Sequence, residues 1–235
     1  MKRDWLIIVL LSAVLIGTGC RRKSSPAEAP SMAVTNSYLQ AAVQDLTGGS
    51  QTIFCLAPPG MCPGHFDMSP EQIRCLLNCR VLFRFDFQAG LDDKLERTRI
   101  PIVSIPGRAG MCIPETYLKT CREMRERLAA HSGHDPAYEA NLSRLAARLA
   151  AQTSRCRERV ARHGLTGTKV IASTHQAAFA EWLGLQVVAT FKGADRMTPA
   201  DISHCLQTGR THKVPLVIAN LQEGTALPAR LAEQL

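Results

Sequence analysis

Two histidines each follow a predicted buried strand, and both positions are suitable for a side chain that binds zinc. His65 lies in the loop P-P-G-M-C-P-G-H-F-D-M-S-P, residues 58–70, and His175 follows the apolar run Lys169–Ser173. Ligands of open α/β sheets bind beyond the C-terminal ends of the strands, so both histidines are placed for binding. Cys62 lies three residues before His65, and thiolate and imidazole are ligands that zinc prefers. The alternative for each histidine is a structural role, in a helix cap or in the core.

The elements that would position these residues alternate between short apolar runs and helical stretches. This alternation predicts an α/β fold with parallel sheets covered by helices on both faces. The predicted strands are Met32–Thr35, Thr52–Ala57, Val81–Phe85, Ile100–Ile105, Lys169–Ser173, Gln186–Thr190 and Val214–Ala219. The predicted helices between them include Asn36–Leu46, Pro70–Cys79, Pro114–Ala130 and Pro199–Gln207.

One uninterrupted helix breaks this alternation. It begins at Asp135-Pro136 and ends at His163, before Gly164, and it would extend about 42 Å. Such a rod suits a connection between two lobes, which we place at residues 32–130 and 164–235, with the linking helix at 135–163. The second lobe has three predicted strands against four in the first. We therefore expect this lobe to be incomplete and the sequence to be truncated at its C-terminus.

The N-terminus has the pattern of an export signal. Lys2 and Arg3 precede the apolar run Trp5–Ile16, which is shorter than the roughly 20 residues of a membrane span. Small residues then lead to Cys20, an arrangement that resembles the lipobox of bacterial lipoproteins, in which Cys20 would be diacylated. Residues 1–19 are thus predicted to be a signal peptide and residues 20–31 a tether to the membrane. The alternative is an uncleaved anchor helix.

Composition narrows the classes of function. Hydrophobic residues make up 46% of the chain and charged residues 20%, which excludes wholesale disorder. A mean hydropathy of −0.04 excludes a polytopic membrane protein. The net charge of +8 comes with arginines around the long helix, but acidic residues are interspersed among them, so we expect a solvated face rather than a nucleic-acid surface. We find no phosphate-binding glycine loop, nucleophile elbow or pair of catalytic carboxylates.

The histidine segments resemble a known family. The loop of His65 is similar to the metal-binding loop P-P-G-x-D-P-H-x-Y-x-P-S-P of the substrate-binding proteins of zinc and manganese ABC transporters. His65 matches a metal-ligand histidine, although Gly64 is an insertion and Cys62 replaces the acid. The segment S-T-H-Q-A-A-F-A-E-W-L-G-L is similar to the family's second-lobe segment S-H-x-A-F-x-Y-F-x-x-x-x-G-L, so His175 matches a second ligand. Residues 137–164 resemble the single helix that links the two lobes.

The resemblance implies a function in transport. An exported, lipid-anchored monomer would capture a metal ion between its lobes and deliver it to an ABC permease, without catalysis. The family's first-lobe histidine in P-H-x-W-L-D-P has no counterpart here, but Cys112 lies nearby and would substitute. The family's acidic ligand would lie beyond the end of the sequence. His65, His175, Cys62 and Cys112 would then favour Zn²⁺ over Mn²⁺, because thiolates are soft ligands.

Two other functions stay open at this point. Eight cysteines remain besides Cys20, an even number in an oxidising compartment, so a disulfide-rich structural or redox lipoprotein is the first alternative. The second is a zinc-dependent envelope hydrolase, with Glu115 or Asp67 as the general base.

Overall fold

The computed structural model of the protein describes residues 30–57 and 68–235. Its strands are β1 (Met32–Asn36), β2 (Ile53–Ala57), β3 (Leu82–Phe85), β4 (Ile102–Ile105), β5 (Lys169–Ser173), β6 (Gln186–Phe191) and β7 (Leu216–Ile218). Its helices are α1 (Ser37–Thr47), α2 (Pro70–Leu77), α3 (Asp92–Leu95), α4 (Pro114–Ser132), α5 (Pro136–Arg162), α6 (Thr174–Trp182), α7 (Pro199–His212) and α8 (Ala226–Gln234). Short 3₁₀ turns lie at Asp86–Leu91, Glu96–Thr98, Ala194–Arg196 and Leu221–Glu223.

The first lobe is built on a parallel sheet with the strand order β2-β1-β3-β4. Neighbouring residues along a strand point to opposite faces of the sheet. In β1, Val34 packs into a core with α1, α4 and α5, whereas Ala33 packs into a second core with α2 and α3. Phe83 and Leu82 of β3 divide between the two cores in the same way. Helices therefore cover both faces, as the apolar runs predict.

Proline and a polar cap define the start of several helices. The Ser69 side chain accepts a hydrogen bond from Gln72 N and the Gln72 side chain accepts one from Ser69 N, which forms a capping box at α2. Thr198 and Asp201 form the same arrangement at α7. Pro70, Pro114, Pro136 and Pro199 each occupy the first position of their helix.

The long helix α5 links the lobes. It contains 27 residues, and Asp135 caps it by accepting a hydrogen bond from Ala137 N. Its first half packs on α1 and α4 through buried Leu142 and Leu145. Further along α5, Cys156 is only half-buried.

The second lobe has a parallel sheet with the strand order β6-β5-β7. Its core includes Ile171 of β5, Phe191 of β6 and Cys205 of α7. Strand β7 is shorter than the predicted Val214–Ala219, because Val214 N donates to Gly209 O at the end of α7 and Pro215 has no N–H group. The molecule is thus an α/β protein with two lobes, each a parallel sheet flanked by helices. Within residues 30–57 and 68–235, no helix is long and apolar enough to cross a membrane.

Candidate metal centre

The predicted ligands all follow strands, but the structure describes only two of them. His65, Cys62 and Cys20 lie outside the described residues. The loop that carries His65 and Cys62 starts beyond Ala57, at the carboxyl end of β2, which is an edge strand of the first sheet. Cys112 follows β4 at the opposite edge, and His175 follows β5 at the centre of the second sheet.

His175 is the second residue of α6, and its side chain is 60% exposed. The hydroxyl of the preceding residue, Thr174, donates to Phe191 O at 3.1 Å, which ties the start of α6 to the end of β6. His175 Nε2 lies 3.3 Å from Glu223 Oε1, in the 3₁₀ turn after β7. The imidazole is therefore accessible and has a carboxylate beside it.

Glu223 follows β7 and contacts residues that follow the other two strands of the second sheet. Its Oε1 lies 3.3 Å from Nη2 of Arg196, which comes from the turn after β6. The Glu223 side chain is only 15% exposed, and its Oε2 is buried without a hydrogen-bond partner among the described residues. Glu223 is not among the residues predicted from the sequence. An acid shortly after a predicted strand was its only signal, and the contact with His175 depends on the tertiary fold.

Cys112 is exposed and lies beside a tyrosine that follows β1. The distance from Cys112 Sγ to the hydroxyl oxygen of Tyr38 is 3.3 Å. Burial, and secondly the hydrogen bond and charge interaction with Cys112, raise the pKa of Tyr38 to about 12. A neutral phenol therefore adjoins the Cys112 thiol across the neutral pH range.

The segment that carries Cys112 lies against the helix that carries His175. A methyl group placed on Gly110 Cα would lie 3.5 Å from the Cβ of Ala178. Ala178 is three residues after His175, so the two share one side of α6. The first lobe thus meets the second close to His175. Among the residues that the structure describes, no group of three or more His, Cys, Asp and Glu side chains is arranged to hold a metal ion.

The described cysteines are free thiols: Cys55, Cys75, Cys79, Cys112, Cys121, Cys156 and Cys205. Burial raises the pKa of Cys55 and of Cys79 to about 11 and that of Cys121 to about 12, so these thiols stay protonated at neutral pH. Cys55 and Cys79 pack on opposite faces of the first sheet. No disulfide pair therefore supports the alternative of a disulfide framework in the described part of the chain.

The alternative of a zinc hydrolase has no support from the described acids. Glu115, proposed as a general base, is exposed in the first turn of α4. Asp67, the other acid proposed for that role, lies outside the described residues.

Two parallel-sheet lobes joined by one long helix, with a histidine directly after the central strand of the second sheet, are features of the metal-binding proteins that serve ABC transporters. The chain belongs to the family described as zinc-uptake complex component A, periplasmic, whose family model matches residues 113–235. This matched region runs from α4 to the end of the chain and includes His175 and Glu223. By its description, the family is a periplasmic component of zinc uptake.

Solved structures share the fold at low sequence identity. A zinc-bound ZnuA with residues 138–173 deleted has a TM-score of 0.71 at 17% identity, over 88% of this chain and 87% of the other. A second ZnuA crystal structure has a TM-score of 0.71 at 16% identity, over 88% of both chains. The manganese-bound periplasmic metal-binding protein of Candidatus Liberibacter asiaticus has a TM-score of 0.70 at 11% identity, over 86% of this chain and 84% of the other. A comparison with curated protein sequences gives no match.

Proposed function

We propose that the protein captures a zinc ion between its two lobes outside the cytoplasm and delivers it to an ABC permease. The observation that supports this most is the exposed imidazole of His175 at the carboxyl end of the central second-lobe strand. Beside it, Gly110 of the Cys112 segment packs near Ala178. An accessible ligand at the meeting point of two lobes suits capture and release of an ion. Family membership supports the same class of function.

The ion would be held by residues from both lobes. His65 and Cys62 would come from the loop after β2, Cys112 from the segment before α4, and His175 from α6. This set of imidazoles and thiols favours zinc over manganese, because manganese prefers oxygen ligands. Solved relatives with zinc, manganese and cadmium agree with a divalent ion of this kind. Imidazolium and thiol groups must lose a proton before they bind a metal, so zinc affinity is expected to fall below about pH 6.

Export would place this site where the permease can receive the ion. Residues 1–19 would serve as the signal peptide, Cys20 as the lipid-modified N-terminus, and residues 20–31 as the tether. The lobes at 32–130 and 164–235 would work as a monomer around the linking helix at 135–163. Lipid attachment would keep the monomer near a permease in the same membrane.

The test is the zinc content of the chain isolated from the cell envelope, measured by mass spectrometry. We expect about one zinc ion per chain, and a loss of at least tenfold in affinity in His65→Ala and in His175→Ala. His163→Ala is the matched control, because His163 is exposed at the end of α5. A wild-type chain that binds no zinc, or a His175→Ala variant that keeps the full zinc affinity, would overturn the proposed function.

A further inference from the structure

We infer that the linking helix α5 carries a docking surface for anionic membrane lipids. Five exposed arginines form this surface, which we call the arginine stripe: Arg144, Arg148, Arg155, Arg159 and Arg162. The inference goes beyond the proposed function, because it assigns a second surface and involves no residue of the metal site. The partner is a flat layer of lipid headgroups with negative charge.

The arginine stripe follows one side of α5. The intervals between its arginines are four, seven, four and three residues. Because an α-helix turns by about 100° per residue, the five positions fall within about 60° around the helix axis, along about 27 Å of helix. Leu142 and Leu145, which are buried in the first lobe, lie about 100° further around the axis. The arginines therefore form a continuous charged line outside the core.

Little negative charge compensates the arginine stripe. Residues 144–163 contain six arginines and one acid, Glu158. Among the described residues, one ion pair reaches the stripe: Arg148 Nη2 lies 2.7 Å from Oδ1 of Asp45 on α1. The other four arginines of the stripe have no carboxylate partner in the part of the chain that the structure describes. Most of the positive charge is thus available to an outside partner.

The charge distribution differs from the sequence-based expectation of a solvated face with mixed charge. Acids that lie near these arginines in the sequence pair with arginines outside the stripe. Glu139 in the first turn of α5 pairs with Arg125 of α4, and Glu123 of α4 pairs with Arg108. Opposite charges that are interspersed in the sequence are therefore separated in the structure, and one sign of charge prevails along the stripe.

The predicted tether would bring this surface to a membrane. The described chain starts at Pro30, and the next residues, Ser31 and Met32, line one cavity together with Tyr138 in the first turn of α5. The tether would therefore join the first lobe beside the start of α5. Its residues 20–29 can extend by at most about 35 Å. A chain attached to lipid at its N-terminus would thus hold α5 within that distance of the membrane.

A lipid surface suits the arginine stripe better than a nucleic acid does. Proteins that bind single-stranded nucleic acids stack the bases on aromatic side chains, and α5 has no aromatic residue after Tyr138. An anionic membrane adds about fivefold in affinity for each basic side chain near its surface. A helix that lies on a flat layer of lipid brings all five arginines to it at once. Because α5 links the lobes, this contact would hold both lobes close to the membrane.

Binding of the mature chain to lipid vesicles tests the inference. The mature chain, residues 21–235, is produced without lipid, so that no acyl chain contributes. Vesicle sedimentation measures its affinity for phosphatidylcholine alone and for phosphatidylcholine with about 30% phosphatidylglycerol, at about 0.1 M and about 0.5 M salt. We expect the anionic vesicles to bind at least about tenfold more tightly at low salt, and this preference to disappear at high salt.

The decisive variant combines Arg155→Gln, Arg159→Gln and Arg162→Gln. These arginines lie on the second half of α5, which contributes no buried residue, so their loss should leave the fold intact. Glutamine keeps a polar side chain that suits a helix but removes the charge. At about fivefold for each arginine, the affinity for anionic vesicles should fall by at least about tenfold. Where this variant folds poorly, Arg159→Gln alone takes its place, with an expected loss of about fivefold.

The matched control combines Arg74→Gln, Arg97→Gln and Arg99→Gln, which removes the same charge from exposed positions. Arg74 lies on α2, which packs on the face of the first sheet opposite to α5. Charges that are more than about 10 Å from the lipid are largely screened by salt, so the control should keep the affinity within about threefold.

Two results would overturn the inference. If the wild type binds anionic and neutral vesicles equally, the arginine stripe does not bind lipid, and an acidic protein is the better candidate partner. If the helix variant loses no more affinity than the control, net charge or the basic residues of the tether account for the binding. The zinc affinity of the helix variant should equal that of the wild type, so the proposed function can stand or fail independently of this surface.

Discussion

The guanidinium carbon of Arg157 lies 5.3 Å from the centroid of the Trp182 ring, which joins the linking helix α5 to α6. Trp182 also stacks on Phe179, at 5.4 Å between ring centroids, within the same helix. Since His175 is the second residue of α6, this contact connects the linking helix to the element that carries the candidate ligand. The position of the second lobe on α5 therefore depends in part on one cation–π contact.

Arg157→Ala should destabilise the protein by about 0.5–1 kcal/mol, the range for exposed cation–π contacts. Arg155→Ala is the control, because Arg155 is also exposed on α5 and has no such ring partner among the residues that the structure describes. Urea denaturation monitored by tryptophan fluorescence gives both free energies of unfolding. Equal effects of the two substitutions would show that the contact with Trp182 contributes nothing.

A second prediction concerns the buried Arg84 of β3. Its Nε and Nη2 donate to the two oxygens of Asp92 at 2.7 and 2.5 Å, and its side chain is only 10% exposed. Removing one partner of a fully buried ion pair costs about 3–5 kcal/mol, because the other charge is left without compensation. Asp92 is 39% exposed, so water would screen part of that loss.

We expect Asp92→Ala to lower the free energy of unfolding by about 2 kcal/mol. Asp93→Ala should change it by less than about 0.5 kcal/mol, because Asp93 is exposed on the same short helix. Chemical denaturation of the two variants tests this difference. A loss in Asp92→Ala no greater than in Asp93→Ala would mean that Arg84 finds compensation elsewhere.

The surroundings of this ion pair also show which elements can be predicted from the sequence and which cannot. Strand β5 has the predicted bounds Lys169–Ser173, because a compact apolar run with turn residues on both sides allows few other placements. No helix or strand was predicted for residues 86–98. Its turns and short helix have weak local patterns, and contacts from Arg84 and the buried side chain of Gln88 hold them.

The candidate site could likewise be predicted only in part. The position of His175 after a central strand is readable from the sequence, since strand ends are marked by local composition. Its neighbour Glu223 could not be predicted, because the two residues are 48 positions apart in the sequence and only the pairing of adjacent strands brings them together. Apolar periodicity predicts elements, whereas a polar contact between elements depends on how strands are ordered in the sheet.

A third prediction uses the pKa of Tyr38, which is raised to about 12, first by burial and then by Cys112. Cys112→Ala should lower this pKa but keep it above the ordinary value of about 10, because burial remains. Phenolate absorbance during a pH titration measures the change, with Tyr38→Phe to assign the signal. Cys156→Ala, on α5 away from Tyr38, should leave the titration unchanged.

The same shift has a consequence for stability. The folded pKa of Tyr38 lies above its unfolded value, so its contribution is fully present below about pH 10 and is lost as the pH rises toward 12. The free energy of unfolding of Tyr38→Phe should therefore fall less steeply across this alkaline range than that of the wild type. Parallel slopes for the two proteins would contradict the assignment.

The last prediction tests the close packing beside Cys112. Gly110 has φ +73° and Gly133 has φ +84°, a region that favours glycine, so alanine at either position is strained by about 1–2 kcal/mol. A methyl group on Gly110 would also lie 2.8 Å from Ile113 Cδ1 and in contact with Ala178, whereas one on Gly133 meets nothing within 4 Å. Ile113 must then move, and it is the neighbour of Cys112.

Gly110→Ala should therefore destabilise the protein by about 1 kcal/mol more than Gly133→Ala, since overpacking typically costs about 1–3 kcal/mol and Ile113 is only half-buried. It should also weaken zinc binding, because the displaced segment carries Cys112 and lies against the helix of His175. Gly133→Ala carries the same backbone strain without either contact and should keep the wild-type zinc affinity. Urea denaturation and chelator competition on both variants separate the effect of backbone strain from the effect of the contacts with Ile113 and Ala178. Equal zinc affinities of the two variants would show that the segment near Cys112 plays no part in holding the ion.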